Sequence, residues 1–368
     1  MIVRAAAASG PSASQAVARL ADRLPPPGGA VTFAFVPAGY DQDEAAAALT
    51  EWAGPGLLGC TSAGAVGPSG YSPDEIAAIT LSQGDLRART IVLRSLDDMA
   101  KTLATAGTQL AAARSELGEG SMFAVLLCDG LSLQEEVLAE GLRTVLGDIP
   151  LIGGSAGDDL RFERSAVLME GHFVSGAATV TLMTTPAPWR RFRVQHHLAG
   201  DAIAVVTDAD PAQRLVHSLN GRSAAAEYAA LAGVGQNALG PATFSTYPLV
   251  LRAGGGEWVR SVCRAEPDGS LRLFSAAERG SVLRIGRSID PEQALSQTLS
   301  DLDRQLAGIG GMLVFDCILR RLEFEELHLD TRMGELLARY HGAGFSTYGE
   351  QFDGVHVNQT LVGVAFGA

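Results

Sequence analysis

The chain has 368 residues, of which 47% are hydrophobic and 19% charged, and its formal net charge is −13. This much apolar material excludes an intrinsically disordered protein, and the length predicts two domains. The acidic balance disfavours nucleic acids and anionic membrane surfaces as partners, because both carry negative charge themselves.

The cysteines and the N-terminal residues indicate a compartment. Cys60, Cys128, Cys263 and Cys317 are far apart and lie in apolar, strand-like runs, which is typical of free thiols in a reducing cytosol. The first residues lack the pattern of a signal peptide, and no apolar run is long enough to span a bilayer. We therefore expect a cytoplasmic protein without membrane insertion.

Strands and helices alternate in the first half of the chain, and the alternation repeats. The first copy is predicted as strand 2–8, helix 12–24, strand 31–36, helix 43–52, a strand ending in the segment 57–64, and strand 76–82. The second copy is predicted as strand 90–93, helix 99–117, strand 122–128, helix 134–146, the segment 151–157, and strands 165–169 and 178–183. In both copies Ser-Ala-Gly directly follows a buried strand. The pattern predicts an α/β fold with mixed sheets and a duplicated βαβαβ-type N-terminal unit.

The second half begins after a proline-rich segment. Residues 186–193 (PAPWRRFR) are interpreted as a linker along the surface, with a basic docking patch for a partner at 189–193 as the alternative. Beyond it we predict strands 203–207 and 213–219, helix 223–231, a hairpin of 259–264 with 271–275, helix 291–306, strand 312–317 and helix 333–340. The predicted division is an N-terminal domain over 1–209, with copies at 1–85 and 86–185, and a smaller α/β C-terminal domain over 210–368.

Several phrases, read in order, resemble those of FIST proteins, a family of intracellular signal-transduction sensors. They are GCTSAG at 59–64, IGGSAGDD at 152–159, LNGR at 219–222 with an alanine-rich stretch at 224–228, FDCILR at 315–320, GFSTYGE at 344–350 and HVNQT at 356–360. The resemblance covers nearly the whole chain. It departs from the family at Leu319, where a small residue is more common.

The resemblance implies a sensor of small molecules, with amino acids among the candidates, that signals through a histidine kinase or a cyclic-dinucleotide enzyme. No output domain is recognisable, so the signal would pass through a partner protein. A haem-binding branch of the family, called NosP, senses nitric oxide, which gives haem-based sensing as an alternative function. A pure scaffold is a further possibility if the protein lacks a ligand cleft.

The residue types in these phrases suit ligand binding. Small residues let backbone amides approach a ligand, and serine hydroxyls can donate to a carboxylate. Arg320 offers a fork for a carboxylate and Glu350 an acceptor for an ammonium group, which together would suit an amino acid. The predicted ligand-binding residues are Cys60, Ser62, Gly64, Gly154, Ser155, Gly157, Asp158, Cys317, Arg320, Glu350, His356 and Asn358.

Residues 153–157 (GGSAG) match the G-x-S-x-G motif of serine hydrolases. That motif requires a strand, a sharp turn and then a helix, whereas here another strand is predicted to follow, and the first copy has Cys60 in place of the leading glycine. We therefore expect no enzyme, and keep a hydrolase that uses Ser155 or Cys60 as an alternative. Cys317 is interpreted as a packed thiol.

Cofactor motifs are weak. The glycine-rich stretch 233–240 lacks the lysine of a P-loop and the spacing of a dinucleotide fingerprint. The histidines form neither an i, i+4 pair nor a Cys/His cluster, which disfavours structural zinc. Haem needs only one neutral imidazole in an apolar pocket, so it stays open, with His356 as the first choice of axial ligand and His172 and His341 next.

Overall fold

The first part of the chain forms a unit in which strands and helices alternate. The computed structural model describes residues 2–25, 31–82 and 85–368. Helix α1 begins after Ser12, whose side chain accepts a hydrogen bond from Gln15 N, as N-cap serines do. The elements of unit 1 (residues 2–82) are β1 (Ile2–Ala8), α1 (Ala13–Arg23), β2 (Val31–Pro37), α2 (Gln42–Ala53), β3 (Leu57–Ser62), β4 (Ala65–Gly67), β5 (Gly70–Ser72) and β6 (Ile76–Ser82).

Unit 2 (residues 87–184) has the same order of elements, as the repeat in the sequence predicts. Its first parallel strand is buried throughout, which is why it appears in the sequence as one continuous apolar run. The elements are β7 (Arg87–Leu93), α3 (Met99–Leu117), β8 (Met122–Cys128), α4 (Glu135–Leu146), β9 (Leu151–Ser155), β10 (Val167–Met169), β11 (His172–Val174) and β12 (Ala178–Thr184).

A third unit follows, and a separate sheet interrupts it. Its first strand is β13 (Trp189–Gln195). Residues 197–288, the inserted module, come next and contain β14 (His197–Asp210), β15 (Leu215–Leu219), β16 (Arg222–Ser223), α5 (Ala224–Ala232), α6 (Pro241–Thr246), β17 (Leu249–Ala253), β18 (Gly256–Arg260), β19 (Val262–Ala265), β20 (Leu271–Leu273) and β21 (Val282–Ser288). Unit 3 then continues with α7 (Pro291–Leu306), β22 (Ile309–Cys317), α8 (Ile318–Glu326), α9 (Asp330–Arg339), β23 (Gly342–Thr347), β24 (Glu350–Phe352), β25 (Val355–Val357) and β26 (Thr360–Gly367).

The three units form three six-stranded mixed sheets, each with four strands from one unit and two from another. The strand orders are β1-β6-β2-β3-β10-β11, β7-β12-β8-β9-β24-β25 and β13-β26-β22-β23-β4-β5. The pairs β2–β3, β8–β9 and β22–β23 are parallel, and the remaining neighbours are antiparallel. The mixed α/β fold predicted from the sequence is confirmed, and the structure adds a third copy to the predicted duplication.

The units exchange their hairpins in a cycle. The hairpin of unit 1 (β4–β5) completes the sheet of unit 3, that of unit 2 (β10–β11) the sheet of unit 1, and that of unit 3 (β24–β25) the sheet of unit 2. Each unit therefore needs a neighbour to complete its sheet edge, which ties the three sheets into one body.

The interpretation of residues 186–193 as a surface linker is wrong. Strand β13 pairs in register with β26, from Trp189 opposite Phe366 to Gln195 opposite Thr360. Phe192 is buried in the core of unit 3, while Arg190 and Arg191 are exposed. The prolines precede the first paired residue, where a missing N–H does not interrupt the ladder.

One central core joins the sheets, and the helices cover their outer faces. Side chains from all three sheets meet in the centre, where the rings of Phe35 and Phe345 stack with centroids 4.5 Å apart. Helices α1 and α2 cover sheet 1, α3 and α4 cover sheet 2, and α7 and α9 cover sheet 3. The carboxyl ends of the parallel strands are thereby left as the edge where the loops meet.

Candidate functional site

Three turns form one ring: the two Ser-Ala-Gly motifs and the motif Thr-Tyr-Gly. Each begins at the last residue of one of the equivalent strands β3, β9 and β23. We call residues 62–64, 155–157 and 347–349 the turn ring. Ser346 N donates to Gly64 O at 2.8 Å, Gly157 N to Thr61 O at 3.2 Å, and Tyr348 N to Ser155 O at 3.1 Å. The structure thus brings motifs that are far apart in the sequence to one place.

Close packing in the ring explains its small residues. A Cβ on Gly154 would lie 2.7 Å from Thr347 Cγ2 and 2.9 Å from Phe315 Cδ1. Gly64 has φ +117°, and a Cβ there would lie 2.2 Å from Arg321 Nη1, so both space and conformation favour glycine. At these positions the glycines serve the packing of the ring.

A chain of buried polar side chains runs from the ring to the inserted module. Gln351 Nε2 donates to Ser155 Oγ at 2.8 Å and lies 3.3 Å from His356 Nδ1. On the other side of the imidazole, His356 Nε2 lies 3.3 Å from Phe274 O. Ser275 Oγ donates to Asn358 Oδ1 at 2.8 Å. We call Ser155, Ser275, Gln351, His356 and Asn358 the polar junction.

His356 is held as a neutral imidazole. The amide of Gln351 donates to Nδ1, so the ring proton is on Nε2, where it faces the carbonyl of Phe274. Burial, followed by the charges of Arg214 and Arg260, lowers the pKa of His356 well below its usual value. The junction therefore uses His356 as an uncharged link between two elements.

This arrangement does not fit an axial haem ligand at His356. An axial histidine gives one ring nitrogen to the iron, whereas both nitrogens of His356 have hydrogen-bond partners and the residue is only 2% exposed. His172 and His341 are exposed, so neither has the enclosing apolar pocket that haem requires.

Two polar atoms of the junction and one of the inserted module are buried and have no partner in the part of the chain that the structure describes. They are Gln351 Oε1, Asn358 Nδ2 and Ser261 Oγ. Ser261 belongs to the inserted module, where its carbonyl accepts from Phe274 N at 2.9 Å. An unsatisfied buried polar group costs about 1–3 kcal/mol, so a ligand or water that supplies the missing partners would be stabilised here.

Glu350 lies beside the junction as a buried acid. Thr360 Oγ1 donates to it at 2.6 Å, and Thr347 Oγ1 donates to its other oxygen. Burial raises the pKa of Glu350 to about 8. The group is accordingly protonated at neutral pH, which weakens the expectation that it binds an ammonium group as a carboxylate.

The potential nucleophiles are poorly placed for hydrolysis. Ser155 Oγ contacts Gln351 and Cys128 Sγ at 3.5 Å, and strand β9 leads through a loop into strand β10 instead of a helix. Cys60 and Cys317 are buried, and burial raises the pKa of both thiols well above the usual value. The geometry of a nucleophile elbow is not present at Ser155.

Asp158 shapes the loop after the second turn. Its carboxylate accepts from the backbone N–H of Phe162, Glu163 and Arg164 at 2.9, 2.7 and 2.9 Å. The hydroxyl of Tyr348 in the third turn donates to the same carboxylate. The predicted residue Gly157 thus belongs to the ring, and Asp158 binds it through Tyr348.

Arg320 is the centre of a second buried network that sequence reasoning did not find. Its Nε donates to Asp316 Oδ1 at 2.6 Å and its Nη1 donates to His196 Nδ1 at 2.9 Å. The Nε2 atoms of His196 and His197 both bind Glu323 Oε2, at 2.7 and 2.9 Å. The adjacent histidines are the one feature of the sequence that indicates this network. Their partner Glu323 could not be recognised, because it is 127 residues from His196 along the chain.

The two histidines and Glu323 have the donor atoms of a metal site. Arginine can only donate, so His196 accepts at Nδ1 and carries its proton on Nε2, the atom that would face an ion. A metal-bound histidine instead keeps a proton on the outer nitrogen for an acceptor. The cluster therefore fits a hydrogen-bonded core better than a cation site.

The fold and the site together define an α/β protein of three equivalent units, with a polar junction beneath an inserted sheet. The model of the FIST N domain matches residues 30–222, and that of the FIST C domain matches residues 224–353. The chain belongs to the FIST family, whose domains are associated with small-ligand sensing in signal transduction. No curated protein matches the chain.

Proposed function

We propose that this protein is a cytoplasmic sensor that binds a small metabolite at the polar junction and signals through a partner protein. The observation that carries the proposal is a set of buried polar atoms without a partner among the described residues: Gln351 Oε1 and Asn358 Nδ2 in the junction, and Ser261 Oγ in the inserted module. Among the described residues, no helix is long and apolar enough to cross a membrane.

The donors and the acceptor around the junction suggest the ligand. Asn358 Nδ2 and the hydroxyl of Ser261 can donate to a carboxylate, and Gln351 Oε1 can accept from an ammonium group. A free amino acid would satisfy both kinds of atom, so amino acids are the first class to test. Haem is not proposed, because the ring nitrogens of His356 are already used.

Ligand binding here would couple two parts of the chain. A ligand that contacts Ser261 and Asn358 together favours the closed arrangement of the inserted module on unit 3, and so changes the surface offered to a partner. A histidine kinase or a cyclic-dinucleotide enzyme is the expected kind of partner. The division into domains at 1–209 and 210–368 stays a prediction.

The test is a thermal-shift screen of the full chain with each proteinogenic amino acid, followed by calorimetric titration of those that raise Tm. A ligand at a hundredfold excess over its Kd adds about 2.7 kcal/mol to the free energy of unfolding. We expect Asn358→Ala and Ser155→Ala to weaken binding at least about tenfold, the equivalent of 1.4 kcal/mol.

Asn237→Ala is the matched control, because Asn237 is exposed in the inserted module. If no amino acid raises Tm, the ligand class is wrong. If a ligand binds equally well to folded Asn358→Ala and Ser155→Ala, as judged by circular dichroism, the proposed site is wrong.

A further inference from the structure

Unit 1 has an open crevice at the carboxyl ends of β1, β2 and β3. Its volume is about 550 Å³, and Ala38, Tyr40, Ser62 and Asp74 are among the residues that line it. Ligands in open α/β sheets commonly bind outside the carboxyl ends of the strands. The side chain of Ser62 is fully buried, and its Oγ has no hydrogen-bond partner among the residues that the structure describes.

The same place in unit 2 is filled by a carboxylate. Strand β2 ends at Pro37 opposite Ser62, and strand β8 ends at Cys128 opposite Ser155. The next residue is Ala38 in unit 1 and Asp129 in unit 2, so these two positions are equivalent.

Asp129 shows what such a carboxylate binds. Gly176 N donates to its Oδ2 at 2.6 Å and Leu131 N donates to its Oδ1 at 3.0 Å, while the hydroxyl of Ser165 donates to Oδ1 as well. The carboxylate thereby joins the end of β8 to the loop that precedes β12. This is a set of donors that selects an anion with two oxygens.

Unit 1 lacks the carboxylate and keeps only part of this donor set, because Tyr40 N, the equivalent of Leu131 N, donates to Pro37 O at 3.2 Å. Ile76 pairs with the last residue of β1, Ala8, and Ala178 pairs with the last residue of β7, Leu93, so Ile76 and Ala178 are equivalent. Asp74 and Gly176 each stand two residues before them, and are therefore equivalent as well. Within the described part of the chain, the structure gives no hydrogen-bond partner for Asp74 N. Ala38 supplies no carboxylate here, and the hydroxyl of Tyr40 donates to Asp74 O at 3.0 Å.

The walls of the crevice add charge. Arg19 and Arg161 both line it and can attract a carboxylate. Asp74 and Asp159 also line it, and their charges disfavour a polyanion such as a nucleoside triphosphate. The balance favours a small organic acid with one carboxylate.

We propose that the unit 1 crevice is a second ligand site, which binds the carboxylate of a small organic acid in the position that the Asp129 side chain fills in unit 2. The site is separate from the polar junction, since it is formed by unit 1 and the loop after the second turn. It does not depend on the function proposed above.

The test is calorimetric titration of the full chain with L-lactate, and with lactamide, which differs only in having an amide in place of the carboxylate. We expect saturable binding of L-lactate and none of lactamide.

Ala38→Asp supplies the missing carboxylate from the chain itself, so it should weaken L-lactate binding at least tenfold and raise Tm without ligand. Arg161→Gln should also weaken binding, and Arg190→Gln, at an exposed arginine of β13, should not.

The two proposed sites can be separated with one further variant. Asn358→Ala should leave L-lactate binding unchanged, because the junction is not part of the crevice. Equal binding of lactamide, the absence of saturable L-lactate binding, or wild-type affinity in both Ala38→Asp and Arg161→Gln would overturn the proposal. Should Ala38→Asp fail to fold, Arg161→Gln decides, because Arg161 is exposed and its loss leaves the core intact.

Discussion

At the scale of single residues, Glu350 makes the free energy of unfolding of the protein depend on pH. Burial raises its pKa to about 8, while an unfolded chain ionises the group near its ordinary value of 4.5. Between these values the folded state binds the proton and the unfolded state does not, so the contribution of Glu350 to stability is present at low pH and falls as the pH rises.

We expect Glu350→Gln to remove this contribution to the pH dependence. The free energy of unfolding should then decline less between about pH 5 and pH 8 than in the wild type, and the variant should gain stability relative to the wild type at the upper end. Urea unfolding at several pH values measures this. Glu163→Gln, at an exposed residue, should keep the wild-type profile, and an unchanged slope in Glu350→Gln would contradict the prediction.

The sequence located part of the site because some of its residues stand in recognisable phrases. Ser155, His356 and Asn358 were predicted, and they lie together at the polar junction. Gln351 and Ser275 were missed, since an amide or a hydroxyl in a polar stretch has no distinctive pattern. Contacts such as Ser275 with Asn358, which are 83 residues apart, depend on the tertiary fold.

At the scale of elements, the helices and parallel strands could be predicted because their apolar periodicity is strong. The predicted helix 291–306 is confirmed as α7. Strand β13 was missed because the prolines before it indicate a break, and because its partner β26 is at the other end of the chain. The third unit was hidden in the same way, since the inserted module separates β13 from the rest.

The exchange of hairpins constrains the turns. Each turn sends its hairpin to a neighbouring sheet, and in the first turn Arg321 Nη1 donates to Ala63 O at 2.6 Å. Gly64 makes room for that guanidinium while it holds φ +117°.

We expect Gly64→Ala to destabilise the protein by about 2–3 kcal/mol, because it adds backbone strain and displaces Arg321. The midpoint of urea unfolding measures the change. Gly39→Ala is the matched control, since a Cβ there meets no atom of the described residues within 4 Å, and we expect it to change stability by less than about 0.5 kcal/mol. Equal effects of the two substitutions would show that the ring does not require glycine.

At the scale of the whole molecule, a buried ion pair fastens the inserted module to unit 2. Arg214, in the turn between β14 and β15, binds Glu135 at 2.6 Å, and Glu135 begins α4. Both side chains are almost fully buried. Nearby, Ala276 N donates to Glu136 at 2.9 Å, so the first turn of α4 anchors the module at two points.

The buried ion pair predicts how single and double substitutions change the free energy of unfolding. Arg214→Met leaves the buried Glu135 without its partner, and should destabilise the protein by about 3–5 kcal/mol. Glu135→Leu leaves Arg214 only its longer contact with Glu136, at 3.4 Å, and should destabilise the protein as well. The double variant removes both charges, so it should recover most of this loss. Urea unfolding of the four proteins gives the coupling energy.

Hydrogen exchange tells whether the pair controls docking of the module or the stability of the fold. In Arg214→Met we expect faster exchange mainly in residues 197–288 and in α4, with β2, β8 and β22 still protected, because those strands lie in the shared core. Uniform loss of protection would mean that the module cannot open by itself. Local opening would instead provide the two arrangements that a ligand at the polar junction needs in order to act as a signal.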